Sequence, residues 1–324
     1  MIPFKPEGTP GRHHGARGCA PDGGIAAKRR DMRRRWALKW ASVLLAFLAA
    51  GTLSTVAVTQ ALTGAELAQA TQAAAQLPNH EQDEAWKQAR AYNRALASNG
   101  QVVLGEATDP FAQIQGETRP ASETDQDYLN ALDMDGEGMM GSIRIPKINV
   151  DLPIWHGTSL QTLDRGAGHM YGTSLPVGGE DTHSVISAHN GMTSALMFTH
   201  LDQLEKGDVF YLHIAGRTLA YKVDRLEHIM PNDFSHLTIA KGKDRVTLMT
   251  CWPYGRNTKR LLVSGLRASM PDVAPYEEDA ETGNPILSDP FAMGACATMP
   301  LSLGYAAHTG WVCRKESKTL PRKH

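Results

Sequence analysis

The sequence lacks an excess of charge of either sign, since 33 Lys and Arg against 34 Asp and Glu leave a formal net charge of −1. A chain this neutral carries no overall signature of binding nucleic acid or another polyanion. It also contains no C-x-x-C and no H-E-x-x-H motif. Neither a zinc site nor any other metal or cofactor is therefore expected.

Charge is unevenly distributed near the N-terminus. Residues 1–35 hold nine Lys and Arg but three Asp and Glu, and residues 40–65 hold no charged side chain. As a helix, the uncharged run would be about 39 Å long, enough to cross a hydrocarbon core of about 30 Å. The basic flank predicts a cytoplasmic tail (1–35), a single-pass anchor in the cell membrane (36–62) and an extracellular remainder. The alternative is a signal peptide cleaved near Thr59–Ala61.

Cysteine is scarce, with four residues in the chain. Cys19 precedes the predicted anchor and is expected in the cytoplasm. Cys296 and Cys313 follow it and are candidates for a disulfide with each other. Cys251 is the remaining thiol, and an unpaired cysteine within the core domain of an exported protein suggests a nucleophile.

The rest of the chain divides into three parts. Residues 63–138 begin with an Ala-, Gln- and Glu-rich stretch that predicts helices broken near Pro78-Asn79, and they continue as a polar loop. Residues 139–270 alternate short β-branched runs with turn residues. The tail, 271–324, has no strong periodicity, and its structure is not predicted.

The β-rich region predicts one compact domain. Residues Val209–Ile214 and Thr218–Val223 flank Ala215-Gly216-Arg217 and are predicted to form a hairpin. Ser194–Leu204 is the one segment expected to be helical. Several strands without long intervening helices indicate a β-barrel or a sandwich.

One segment of this region carries the strongest chemical signal. A β-run ends at Cys251, a Pro-Tyr-Gly turn follows, and a second β-run starts at Arg260. Two antiparallel strands joined in this way bring the thiol and the guanidinium to the same end of a sheet. A thiolate needs a neighbouring base or cation, and an acyl-transfer intermediate needs a donor aimed at its oxyanion. The alternative is a buried small cysteine and a surface arginine.

A second β-run supplies a candidate base. It ends at His189, directly before Asn190-Gly191. Three other histidines compete for this role: His169, His183 and His200.

These motifs together resemble the sortase family, in its class C form. The segments concerned are Thr-Leu-Met-Thr-Cys (247–251), Pro-Tyr-Gly (253–255), Asn-Thr-Lys-Arg-Leu-Leu-Val (257–263), Ser-Ala-His-Asn-Gly (187–191) and Gly141–Pro153. The resemblance covers roughly residues 127–267. It departs from the family's usual pattern in a few positions, including Trp252 after the cysteine.

The resemblance implies a mostly β sortase barrel, preceded by N-terminal helices and a transmembrane helix, on a Gram-positive cell surface. Cys251 would attack the Thr–Gly bond of a Leu-Pro-Xaa-Thr-Gly-like sorting signal and form a thioacyl enzyme. A pilin lysine would resolve it, with His189 moving protons and Arg260 steadying the oxyanion. Three neighbours of these residues are candidates for lining the substrate groove: Thr250, Trp252 and Asn257.

The resemblance also suggests a lid. In class C sortases an Asp-Pro-aromatic loop covers the active site, and Asp109-Pro110-Phe111 matches it here. Class C members commonly carry a second, C-terminal membrane helix. Residues 291–312 are only mildly apolar and contain Pro300, so they are not expected to span.

Three other functions compete with pilus polymerisation. The first is a sortase that joins single surface proteins to a cell-wall amine. The second is a papain-like or other cysteine hydrolase, which the order of His before Cys and the absence of an evident Asn or Asp partner motif disfavour. The third is a surface-binding module without catalysis.

Overall fold

A computed structural model describes residues 23–74, 79–101, 121–133, 136–192, 195–280 and 290–318. The helices are α1 (Gly23–Ala74), α2 (Asn79–Ser98), α3 (Gln126–Leu129), α4 (Leu160–Arg165) and α5 (Pro290–Lys318). The strands are β1 (Met139–Ile145), β2 (Val150–His156), β3 (Ala167–His169), β4 (Thr182–Ser187), β5 (Val209–Ile214), β6 (Arg217–Ile229), β7 (Asp244–Trp252) and β8 (Lys259–Ala268).

The eight strands form a closed barrel in the order β1-β2-β3-β4-β7-β8-β6-β5. β1 pairs with β5 and closes the ring, and two of the neighbouring pairs, β2–β3 and β4–β7, are parallel. A closed ring leaves no open sheet edge, and its inward-facing apolar side chains form the core. The prediction of a mostly β, sortase-like barrel is confirmed.

Local predictions within the barrel had mixed outcomes. The predicted β5–β6 hairpin is present, and its turn is Ala215-Gly216, because Arg217 already pairs with Ile214. The helix predicted over Ser194–Leu204 is wrong for the described residues, which form turns and a short 3-10 helix at Leu201–Gln203. Between the first and last barrel strands, the described α-helix is α4, where the Ser159 side chain caps the amide of Thr162. Most apolar residues of 195–204 are buried by tertiary packing, which does not require a helix.

Helix α2 packs against the barrel. Ala89 is fully buried and Leu96 nearly so, while Trp86 and Tyr92 contact the core from its edge. Asn93 accepts a hydrogen bond from the Leu175 amide and donates one to its carbonyl. The helix is therefore held by polar bonds as well as by burial.

The chain separates into two compact units: residues 50–298, which include the barrel, and residues 1–49 with 299–324. In the second unit, α1 and α5 run antiparallel. Glu316 accepts hydrogen bonds from Trp36 and Lys39, each 2.7 Å long, and Ser42 lies 2.8 Å from Tyr305. Helix α1 begins at Gly23, so the Lys and Arg residues at positions 28–35 of the predicted tail are helical.

The predicted membrane anchor falls inside α1. Among the described residues, Ala27–Leu67 is the one helical segment long and apolar enough to cross a membrane. The expectation that 291–312 does not span stays a prediction. Cys296 and Cys313, whose pairing the sequence left open, are both free thiols and lie on α5. A helix rises about 1.5 Å per residue, so residues 17 apart in sequence lie roughly 25 Å apart along it.

Asp133 lies in a polar turn before β1. Its carboxylate accepts a hydrogen bond from the Gly138 amide at 2.8 Å. Over the ranges the structure describes, no group of three or more His, Cys, Asp or Glu side chains is arranged to hold a metal ion.

Candidate active site

Cys251 and Arg260 face each other across two neighbouring strands. β7 and β8 are antiparallel, and their register pairs Cys251 directly with Arg260. Paired Cα atoms in such a ladder lie about 4.5–5.5 Å apart. Both side chains are nearly inaccessible, at 6% and 4% exposure. The strand–turn–strand prediction for this segment is confirmed.

His189 reaches the same end of the barrel through a parallel pair. β4 runs alongside β7, with Ser187 opposite Met249, so two further residues bring His189 level with Cys251. The connection is continuous, because the Ala188 amide donates to the Met249 carbonyl at 3.2 Å. Three groups predicted from two separate segments are therefore brought to the same end of the barrel.

Asn190 ties the histidine loop to the cysteine. Its Nδ2 donates to the Cys251 carbonyl oxygen at 2.7 Å. Gly191 lies against the ring of Tyr254, so close that a Cβ on Gly191 would lie 3.0 Å from Cδ2. Only glycine suits this approach, and the φ of +89° at Gly191 also favours it. The sequence pattern had not singled out these two contacts.

Burial and one carboxylate act on His189 in opposite directions. Desolvation by burial is the larger effect and lowers the pKa of the imidazole, whereas the Asp164 carboxylate raises it. Asp164 Oδ1 lies 3.5 Å from His189 Nε2. Sequence reasoning missed Asp164, since no motif links it to the histidine.

The guanidinium of Arg260 is held by backbone carbonyls. Its Nη1 donates to the carbonyl oxygens of Asn257 at 3.0 Å and Lys259 at 2.9 Å. Asn257 has a left-handed φ of 54°, which asparagine tolerates better than most residues. Asn257, predicted to line the groove, thus contacts Arg260 through its main chain.

The other two groove candidates differ in position. Thr250 is 1% exposed, and its hydroxyl donates to the Ala188 carbonyl at 2.8 Å. It therefore supports the β4–β7 junction, and its predicted place in the groove stays a prediction. Trp252 is partly buried, with its ring centroid 5.2 Å from that of His228. This ring remains a candidate wall of the groove.

Two of the competing histidines are structural. His169 is fully buried between Tyr128 and the Ser174 carbonyl, and burial lowers its pKa to about 3. Burial lowers the pKa of His183 to about 4. Both imidazoles are neutral near pH 7. The predicted lid, Asp109-Pro110-Phe111, lies outside the described residues.

A thiol, an imidazole and a guanidinium at one end of a closed barrel are the groups that cysteine acyl transfer requires. Residues 143–268 match the sortase domain. Sortase D of Bacillus subtilis (strain 168) is 31% identical over 132 residues, which are 40% of this chain and 64% of that protein. The chain thus matches slightly less than two thirds of that relative's length.

Solved structures agree with this match. A crystal structure of Streptococcus pneumoniae sortase C is 39% identical, with a TM-score of 0.53 over 63% of this chain and 95% of that one. Clostridium perfringens sortase C, solved with the C-terminal cell wall sorting motif, is 38% identical, with a TM-score of 0.51 over 64% of this chain and 99% of that one. The chain belongs to the sortase family, whose members are cysteine transpeptidases.

Proposed function

We propose that this chain is a membrane-anchored transpeptidase that polymerises pilins. It cleaves a Leu-Pro-Xaa-Thr-Gly-like sorting signal between Thr and Gly and joins the threonine to a pilin lysine. The observation that carries the proposal is the pairing of Cys251 with Arg260 beside His189. The pilin role draws support from the similarity to a sortase C whose structure was described in terms of pilin substrate specificity.

The first half of the reaction forms a thioester. The Cys251 thiolate attacks the threonine carbonyl carbon, and the developing oxyanion is stabilised by the Arg260 guanidinium. The carbonyls of Asn257 and Lys259 fix one guanidinium nitrogen. The protonated His189 then gives its proton to the leaving glycine amine, and the C–N bond breaks.

The second half reverses these roles. The lysine amine attacks the thioester carbonyl, and neutral His189 takes up its proton. The C–S bond breaks, an isopeptide bond remains, and the thiolate–imidazolium pair is restored. No metal or cofactor is needed for this cycle.

Mass spectrometry of the full-length protein with a Leu-Pro-Xaa-Thr-Gly peptide tests the proposal. We expect a thioacyl adduct on Cys251 and, with a lysine-containing pilin peptide, an isopeptide product. Cys251→Ala is the control, and transfer retained in that variant contradicts the mechanism. Preference for a cell-wall peptide amine over the pilin lysine would instead favour anchoring of single surface proteins, and release of the free acid alone would indicate a hydrolase.

The proposed location is the cell membrane, with the barrel outside. The uncharged run within α1 and the basic residues before it support this orientation. Protease added to intact protoplasts should digest the chain beyond residue 62. Protection of that region would overturn the orientation without affecting the proposed chemistry.

A further inference from the structure

In the part of the chain that the structure describes, the carboxylate paired with His189 belongs to Asp164, a residue outside every motif. Asp164 Oδ1 lies 3.5 Å from His189 Nε2, and the two side chains are 64% and 20% exposed. The contact therefore lies at the mouth of the site, where solvent reaches the carboxylate more than the imidazole.

The helix that carries Asp164 has a fixed place against the barrel. At the start of α4, the Ser159 hydroxyl accepts from the Thr162 amide at 3.1 Å. Leu163, next to Asp164, is fully buried. After the helix, a Cβ on Gly166 would lie 2.8 Å from the Pro153 carbonyl oxygen, so the chain presses directly on β2. The position of Asp164 is thus set by packing on both sides.

Arg165 and the two strand residues of the site are the other ionisable groups that bear on this contact. Arg165, the neighbour of Asp164 on α4, is turned away: its guanidinium lies 3.7 Å from the Trp155 ring centre and 3.2 Å from Glu137. From the strands, the ionisable groups gathered with His189 are Cys251 on β7 and the buried cation Arg260 on β8.

We propose that Asp164 is a positioning residue for the transpeptidation, whose carboxylate orients the His189 imidazole and stabilises its protonated form. The inference rests on the proposed function, because it concerns the thiolate–imidazolium pair that this function uses. The pair is inherently scarce, since an ordinary thiol has a pKa of about 8.5 and an ordinary imidazole about 6.5. Its fraction falls tenfold for each further unit that separates the two values.

The environment of His189 makes this assistance necessary. Burial lowers the pKa of the imidazole, which disfavours the required imidazolium, and Asp164 is the charged group that opposes this effect. Removing the carboxylate should therefore reduce the active fraction. Because Asp164 is well exposed, solvent screening limits the effect to about three- to tenfold.

The test compares Asp164→Asn, which keeps the shape and loses the charge, with Asp164→Glu, which keeps the charge. Asp272→Asn is the matched control, since Asp272 is exposed in the turn after the far end of β8. Two quantities are measured on the full-length protein: the pH profile of kcat/KM for transpeptidation, and the titration of His189 by NMR with ¹³Cε1-labelled histidine. His189→Ala identifies the signal.

We expect Asp164→Asn to lower the maximal kcat/KM about three- to tenfold. The acid limb of the profile and the midpoint of the His189 NMR titration should both move to lower pH. Asp164→Glu should retain most of the wild-type kcat/KM and most of the wild-type His189 titration midpoint. Asp272→Asn should change neither kcat/KM nor that midpoint. In the wild type, raising the salt concentration should lower the NMR midpoint of His189, because an exposed pair is screened.

The inference is overturned if Asp164→Asn lowers kcat/KM but leaves the His189 titration unmoved, or if it changes neither quantity. An equal change in the control Asp272→Asn would overturn it as well. If Asp164→Asn does not fold, the salt dependence of the wild-type titration decides, and its absence rejects the inference. A wild-type protein that transfers no peptide would refute the proposed function. The NMR titration would still decide on Asp164.

Discussion

His183, a buried histidine in β4, should make the stability of the barrel sensitive to acid. His183 is 1% exposed, with Nδ1 2.9 Å from the Thr238 carbonyl oxygen and Nε2 2.7 Å from Thr247 Oγ1. Because a carbonyl only accepts, Nδ1 carries the proton of the neutral ring and Nε2 accepts from the threonine hydroxyl. Burial, the largest effect, lowers the pKa of His183 to about 4.

The sign and size of the effect follow from this value. In the unfolded chain the imidazole has its ordinary pKa of about 6.5, so acid protonates the unfolded state first. The contribution of neutral His183 to stability is complete above about pH 6.5 and is lost as the pH falls toward 4. Between pH 7 and 4.5 the loss amounts to about 2 kcal/mol.

His183→Gln isolates this contribution, because every other acid-sensitive group is shared with the wild type. The assay is hydrogen exchange of β4 and β7 peptides in the full-length protein at both pH values. The stability advantage of the wild type should shrink by about 2 kcal/mol between pH 7 and 4.5. His308→Gln, which alters an exposed histidine on α5, should show no such change. An advantage equal at both pH values would refute the assignment of His183 as a buried neutral imidazole.

Arg260→Lys keeps the charge and loses the planar fork, so steady-state transpeptidation should fall by on the order of 10²-fold or more with the fold intact. Wild-type rates in that variant would remove the guanidinium from the mechanism. If Asp109-Pro110-Phe111 is a lid, the double variant Asp109→Ala, Phe111→Ala should speed labelling of Cys251 by a thiol reagent and raise turnover of short sorting-signal peptides. Rates equal to those of the parent in both assays would exclude the lid.

Much of the fold and site could be read from local patterns. The hairpin of β5 and β6 followed from a Gly-containing turn between β-branched runs, which depends on neighbours in sequence. The antiparallel pairing of Cys251 and Arg260 followed from two short runs joined by a Pro-Tyr-Gly turn. His189 was identified by its place at the end of a run. These features are local, so short-range sequence contains them.

The remainder depended on contacts between distant segments. No local pattern states that β4 lies parallel to β7, and this pairing brings His189 beside Cys251. The same pairing buries the hydroxyl of Thr250, a predicted groove residue, against the Ala188 carbonyl. Asp164 lies 25 residues before His189 in another element, and only the packing of α4 on the barrel brings them together.

The sequence by itself determined which chemical groups are present and at which strand ends they stand, because turn chemistry and residue alternation act over a few positions. The tertiary structure alone decided which strands are neighbours, which side chains are shielded from water and which carboxylate faces the imidazole. Those properties arise when segments far apart in the chain close into a barrel, and burial then sets the pKa values of His169, His183 and His189.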